Sequence, residues 1–277
     1  MKTLLRRLST VAMYASLIFI SAIILIPMVA LLFAALKTPK EYLSTRPFDP
    51  PSNWFNFENF AIAFEKGQMF NGFVNTGLIM SVSLIGTVLI GTMAAYALDR
   101  FKFAGSKLVL GLFLTAALVP GVTTQVATFQ IVVGLGLFNT HWAAIVLFMG
   151  TDIIAIYIFI QFMASIPKSL DESAMIDGAS HFTVYWRIIF PNLIPAVITV
   201  LIIKGIAIYN EFYIPFLYMP GRELGVISTS LFRFKGPFSA SWELIAAGTI
   251  VVILPSLVVF LLLQRFIYRG LTSGAVK

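Results

Sequence analysis

The chain alternates long apolar runs with short polar breaks, and the run lengths set how often it can cross a bilayer. A hydrocarbon core about 30 Å thick takes about 20 apolar residues per helix. Six stretches qualify: roughly 11–36, 73–97, 108–132, 142–163, 192–216 and 243–264. Six spans put both termini on one side. Lys2, Arg6 and Arg7 precede the first run as in a signal peptide. Its apolar run, however, far exceeds the usual core of about 7–15 residues, so a retained helix is expected.

Composition supports a membrane protein. Of 277 residues 59% are hydrophobic and 11% charged, against about 45–50% and about 25% in soluble domains; the mean hydropathy is +0.93. No polar stretch is long enough for a soluble domain, so one transmembrane domain over 1–277 is expected. The net charge of +7 does not point to nucleic acid, because Lys and Arg are scattered in ones and twos. They report topology instead. Eleven lie on the terminal side and seven on the other, four of these in the long loop at about 37–72. The positive-inside rule discounts long loops and so predicts cytoplasmic termini. With no cysteine and only two histidines, neither disulfides nor a metal site are expected.

Within the second span, Ser83, Thr87, Gly91 and Ala95 recur every four residues, a small-residue stripe that lets another helix approach closely. The third span carries Pro120, Gly121, Thr123, Thr124, Gln125, Thr128 and Gln130. Two accounts fit: a broken segment lining a pathway, or a kinked helix whose hydroxyls bond their own backbone carbonyls. Intramembrane charges cost about 2.5–3.5 kcal/mol each on insertion scales, so Asp152, Lys204 and Glu211 need partners or work to do. Lys204 and Glu211 lie two turns apart on one helical face. Alternatively, Lys204 pairs with Asp152 while Glu211 sits near the outer water layer.

A further polar interruption is the loop 164–191, which contains the stretch DESAMIDGAS from Asp171 to Ser180. Ser169 three residues before Glu172 fits a capping box, so a short helix is expected to start there. Asp171 and Glu172 suit the positive end of its dipole, and Gly178 is placed to end it in a left-handed conformation. From Ser180 to Pro191, Phe182, Tyr185, Trp186 and Ile189 fall at helical spacing, an apolar stripe expected to lie in the interface with Arg187 facing water. A surface loop resting on the membrane has the same periodicity.

The residues resemble the EAA loop of permease subunits of binding-protein-dependent ABC importers, whose pattern is E-A-A, three residues, G, nine residues, I-x-L-P. Glu172, Ser173, Ala174, Gly178, Ile188, Phe190 and Pro191 occupy these places, with Ser173 and Phe190 as mild departures. Tyr209-Asn210-Glu211-Phe212 with Pro215 is similar to the W-N-E-F-x-x-P segment of sugar permeases. The tail from Gln264 to Lys277 is similar to that of the shorter permease of maltose-type carbohydrate importers.

This resemblance implies an all-α integral membrane protein: a type I ABC importer permease of the MetI-like class, with six transmembrane helices and a cytoplasmic coupling loop. It implies a bacterial plasma membrane location, a second permease as heterodimer partner, an ATPase dimer carrying ATP and Mg, and an extracellular solute-binding protein. Glu172, Ser173, Ala174, Asp177, Gly178 and Ala179 become the expected ATPase-coupling residues. For a sugar, which needs hydrogen-bonding groups and aromatic faces, Asn210, Glu211, Tyr213 and Gln125 are the candidates along the path. The chain has no G-x-x-x-x-G-K-[ST], H-E-x-x-H or G-x-S-x-G sequence, so it is expected to bind no cofactor and to catalyse no reaction. Two other classes fit parts of the pattern. An ion-coupled secondary transporter would use Asp152, Lys204 and Glu211 as a relay, and a membrane scaffold would use the polar loop to bind another cytoplasmic protein.

Overall fold

The computed structural model describes residues 2–101, 103–150, 152–236 and 240–273. These are helical, joined by turns, apart from a single isolated bridge between Lys235 and Ala240. In chain order the α-helices are α1 (Lys2–Leu36), α2 (Pro39–Ser44), α3 (Glu58–Lys66), α4 (Met69–Arg100), α5 (Ser106–Ala117), α6 (Gln125–Gly134), α7 (His141–Met149) and α8 (Ile153–Met163). They continue as α9 (Lys168–Ile176), α10 (His181–Val184), α11 (Phe190–Asn192), α12 (Ile194–Asn210), α13 (Tyr213–Tyr218), α14 (Ile227–Ser230) and α15 (Trp242–Ser273). Among the described residues, four stretches are long and apolar enough to cross a membrane: Thr10–Leu36, Met69–Arg100, His141–Met163 and Trp242–Leu262. A fifth forms if His181–Asn192 and Ile194–Asn210, which meet at 69°, count as one span.

The expected third span, 108–132, is not continuous: α5 and α6 are short apolar helices parted by turns from Leu118 to Thr124. Pro120 has no amide hydrogen to donate, and Gly121 follows it, so the ladder stops. Released groups are satisfied locally, Thr123 donating to the Pro120 carbonyl at 2.6 Å, Thr124 to Gly121 at 3.1 Å and Thr128 to Thr124 at 3.0 Å. The bonding is thus the self-satisfied kind, around a break wider than a kink.

The chain divides into two compact units, Met1–Phe70 with Ser230–Pro255, and Asn71–Thr229 with Ser256–Lys277. In the first, Ala35, Ala63, Ala246 and Ala247 form a core of small side chains. Buried Asn59 donates to the carbonyls of Ala35 and Lys37 at 2.8 and 2.7 Å, which supplies acceptors at the end of α1 with a donor. A capping box does occur, at Thr38 and Glu41 opening α2. The Glu41 carboxyl lies below its ordinary value, chiefly because the Ser52 backbone N–H donates to it.

The second unit holds the larger cores. One gathers Ala95, Tyr96, Phe159, Met163, Tyr185, Ile189, Leu193 and Val200, and the other Ile79, Ile145, Phe148, Ile208 and Tyr218 with their neighbours. The small-residue stripe of α4 packs as expected. Ser83 and Thr87 are buried and donate to the Ile145 and Phe148 carbonyls of α7, each at 3.4 Å. A Cβ at Gly91 would stand 2.9 Å from the Phe159 ring of α8. Small side chains here let α4 lie close to α7 and α8.

Candidate functional site

The polar loop folds into two short helical arms. The first is α9, with Pro167 as its N-cap and no side-chain cap bond, which corrects the expected Ser169–Glu172 capping box. With Pro167 as N-cap the helix starts two residues earlier than expected, so Ser169 falls inside the first turn and its hydroxyl is no longer at the capping position. Gly178 ends the arm as expected, at φ +85°. The Ala179 amide donates to the Ala174 carbonyl at 3.0 Å and Gly178 to Met175 at 3.1 Å, the paired closure that a left-handed residue permits.

The second arm begins at Ser180, whose hydroxyl accepts from the Thr183 amide at 3.3 Å. It passes from α10 through a π-helical turn at Tyr185–Ile189 into α11. Pro191 cannot donate to the carbonyl one turn back, and the Asn192 side chain donates to Ile188 at 2.7 Å. The wider turn splits the expected apolar stripe. Tyr185 and Ile189 are buried, Phe182 and Trp186 are exposed, and Arg187 is exposed as expected.

Exposure along α9 separates two sets of residues. Glu172, Ser173, Met175, Ile176, Asp177 and Gly178 face outward, Ile176 being 86% exposed, while Ala174 and Ala179 are half-buried. Asp171 is buried. Its Oδ2 lies 2.8 Å from Arg100 Nε at the end of α4, and Arg100 also contacts Asp99 at 2.9 Å and donates to the Ile166 carbonyl at 2.9 Å. The Nε–Oδ2 approach is an ion pair without hydrogen-bond alignment, and Asp171 Oδ1 has no partner among the described residues. Sequence reasoning missed Arg100 and assigned Asp171 only to the helix dipole. An Arg closing an apolar helix was the available signal, without any sign of its partner.

The intramembrane charges resolve into one pair and one cap. Lys204 of α12 forms an ion pair with Asp152 Oδ2, while Asp152 Oδ1 accepts from the Ala155 amide at 3.0 Å and caps α8. Glu211 lies just past the end of α12, where the backbone turns extended (φ −70°, ψ 117°). Its carboxylate accepts from the amides of Tyr213 and Ile214 at 2.8 and 3.3 Å. Lys204 and Glu211 therefore serve different neighbours. Of the other path candidates, Asn210 donates to the Ile206 carbonyl at 2.9 Å and Tyr213 is 49% exposed. Gln125, half-buried, opens α6 and has no hydrogen bond to these three among the described residues. The tail from Gln264 to Lys277, similar to that of maltose-type permeases, falls partly on residues 274–277, outside the described residues.

The chain is 33% identical over 256 residues to the melibiose/raffinose/stachyose import permease protein MelC of Bacillus subtilis, covering 91% of each chain. It is 30% identical over 266 residues to the galactooligosaccharides transport system permease protein GanQ of the same organism, covering 95% of this chain and 94% of that one. Its fold matches the crystal structure of a bacterial ABC transporter involved in the import of the acidic polysaccharide alginate, with a TM-score of 0.82 at 16% identity over 94% of this chain and 96% of that chain. Residues 2–273 match the family described as the inner membrane component of binding-protein-dependent transport systems. With that match over nearly its whole length, and an all-helical MetI-like permease fold, the chain belongs to the family of binding-protein-dependent transport system inner membrane components, the permease subunits of ABC importers.

Proposed function

We propose that this permease passes a sugar or oligosaccharide across the bacterial plasma membrane, driven by a separate ATPase that docks on the loop 164–191. Both termini lie in the cytoplasm, and the chain crosses six times, the third crossing being the broken pair α5 and α6. ATP and Mg reside on an ATPase dimer, a second permease completes the path, and an extracellular binding protein delivers the solute. The sugar assignment rests on the named substrates of MelC and GanQ. Ion-coupled transport is the weaker alternative, because Lys204 and Asp152 neutralise each other and Glu211 caps a helix.

One observation carries the coupling role: α9 presents Glu172, Ser173, Met175, Ile176 and Asp177 outward while the buried Asp171–Arg100 pair holds its other face. A helix fixed on one side and open on the other can seat in a groove and follow it as a rigid body. Glu172, Ser173, Ala174, Asp177, Gly178 and Ala179 are the coupling residues in this scheme. Asn210, Glu211, Tyr213 and Gln125 line the path, with Glu211 contributing only the carboxylate oxygen that does not cap α13.

The test is to purify the chain with its bound partners in mild detergent, identify them, and assay uptake of raffinose and galactooligosaccharide in proteoliposomes. Copurification of an ATPase that is lost on Glu172→Lys, with ATP-dependent uptake by the native complex, is the expected result. Uptake that follows an ion gradient and ignores ATP would overturn it.

A further inference from the structure

The helix α4 bonds to different parts of the second unit at its two ends. Near its C-terminal end Thr92, Tyr96 and Arg100 stand at every fourth position and meet successive points of the polar loop. Arg100 holds Asp171 and the Ile166 carbonyl, Tyr96 donates to the His181 carbonyl at 3.4 Å, and the Thr92 and Tyr185 hydroxyls meet at 2.7 Å in a buried contact. Both arms of the loop are thereby tied to one helix that is not their neighbour in sequence.

Near its N-terminal end Asn75 Nδ2 donates to the carbonyls of Glu223 and Gly225 at 2.8 and 3.0 Å, and Asn75 Oδ1 meets His141 Nε2 at 3.0 Å. Thr76, buried, accepts from the Ile227 amide at 3.0 Å. At 1.5 Å per residue, Asn75 and Arg100 lie about 37 Å apart along the axis, more than the hydrocarbon core of about 30 Å. Between them runs unbroken α-helix with no proline, its small-residue stripe packed on α7 and α8. A continuous α-helix without proline or a π-bulge has no hinge of those kinds, so one bonded at both ends can pass displacement from one end to the other.

We infer that α4 is the rod that carries movement between the ATPase-docking loop and the 221–229 segment on the opposite face of the membrane, with Asn75, Thr76, Thr92, Tyr96 and Arg100 as its positioning residues. A buried ion pair with an unsatisfied oxygen, as at Asp171, adds little net stability but fixes where its partners sit. This inference rests on the function proposed above, which makes the loop the ATPase contact. It predicts that the loop and α4 do not move relative to each other during transport, and that cutting the far end deafens the ATPase to the binding protein.

The chain has no cysteine of its own, so paired cysteines at Phe101 and His181, whose rings lie 5.0 Å apart, can be joined by a short reducible bis-thiosulfonate linker. In the full complex, with the partner subunits made cysteine-free, linking is expected to leave uptake at the level of the same variant unlinked. Uptake that stops on linking and returns on reduction overturns the inference. In parallel, Asn75→Leu is expected to lower the ratio of binding-protein-stimulated to basal ATP hydrolysis by about fivefold or more. An unchanged ratio in an assembled complex overturns it as well; should Asn75→Leu not assemble, the linker result decides. A native complex that shows no ATP-dependent uptake overturns the proposed function, and the inference with it. A native complex that transports normally, with either negative result above, overturns the inference alone.

Discussion

Two polar interruptions break this apolar chain, and they are held in opposite ways. From Leu118 to Thr124 every residue is exposed, and the hydroxyls of Thr123 and Thr124 bond carbonyls three residues back. From Ile166 to Tyr185 the polar loop is tied to α4, by contacts 66 to 93 residues apart in sequence. A segment satisfied by its neighbours can be built anywhere along the chain and tolerates change. One satisfied from afar has its position specified by another element, and is fragile where that element touches it.

The largest effect is therefore expected at the tie itself. Arg100→Met would leave buried Asp171 and half-buried Asp99 without their cation; the side chains of Arg100 and Asp171 are only 6% and 9% exposed. Removing one partner of such a pair costs about 3–5 kcal/mol. Thermal unfolding of the purified complex should show a large fall in midpoint, and Asp171→Asn added to Arg100→Met should recover part of it. A midpoint equal to the native one would mean the loop is not anchored through Arg100.

Gly91→Leu probes the face of α4 next to the tie. Its side chain would enter the Phe159 ring, and overpacking of that kind costs about 1–3 kcal/mol. Gly91→Ala should cost less, because one Cβ at 2.9 Å from a ring edge needs only a small shift. Equal stability of the leucine and native proteins would show that α4 and α8 can part, which would weaken the contrast between anchored and free segments.

Gly178 gives a smaller effect of a different origin. No atom lies within 4 Å of the Cβ that alanine would add, so the cost comes only from holding φ at +85° with a side chain present, about 1–2 kcal/mol. Hydrogen exchange should show faster opening confined to the amides of Asp177, Gly178 and Ala179, with the unfolding midpoint nearly unmoved. Exchange that speeds up through α4 as well would show that strain at the Gly178 turn passes through the contacts that tie the loop to α4.

The run lengths, the small-residue stripe and the left-handed Gly178 were legible in the sequence because each depends on near neighbours or on one repeating spacing. The capping box shows the limit. Thr38-Pro39-Lys40-Glu41 and Ser169-Leu170-Asp171-Glu172 fit the same pattern, yet only the first forms it. Pro39 sits at the first helical position, where its missing amide costs nothing, whereas Pro167 starts α9 ahead of Ser169. Likewise the apolar spacing of Phe182, Tyr185, Trp186 and Ile189 was visible, but the π turn that divides them was not. The Lys204–Asp152 pair was open to reasoning, since intramembrane charges seek each other; Arg100 with Asp171 was not, since neither lies within an apolar run.

The smallest effect belongs to the other interruption and tests the comparison from its quiet side. Thr123→Val removes a hydroxyl bonded at 2.6 Å to the Pro120 carbonyl, but that carbonyl lies in an exposed stretch. In the isolated subunit the change should fall within about 0.5 kcal/mol, as for exposed sites without special partners. The informative measurement repeats it in the assembled importer. If the effect stays small there, the segment 118–124 keeps its own bonds in the complex and is held by none but itself. If stability or uptake falls only in the assembly, a partner subunit supplies a long-range contact that the described residues of this chain do not, and the two interruptions differ merely in which chain anchors them.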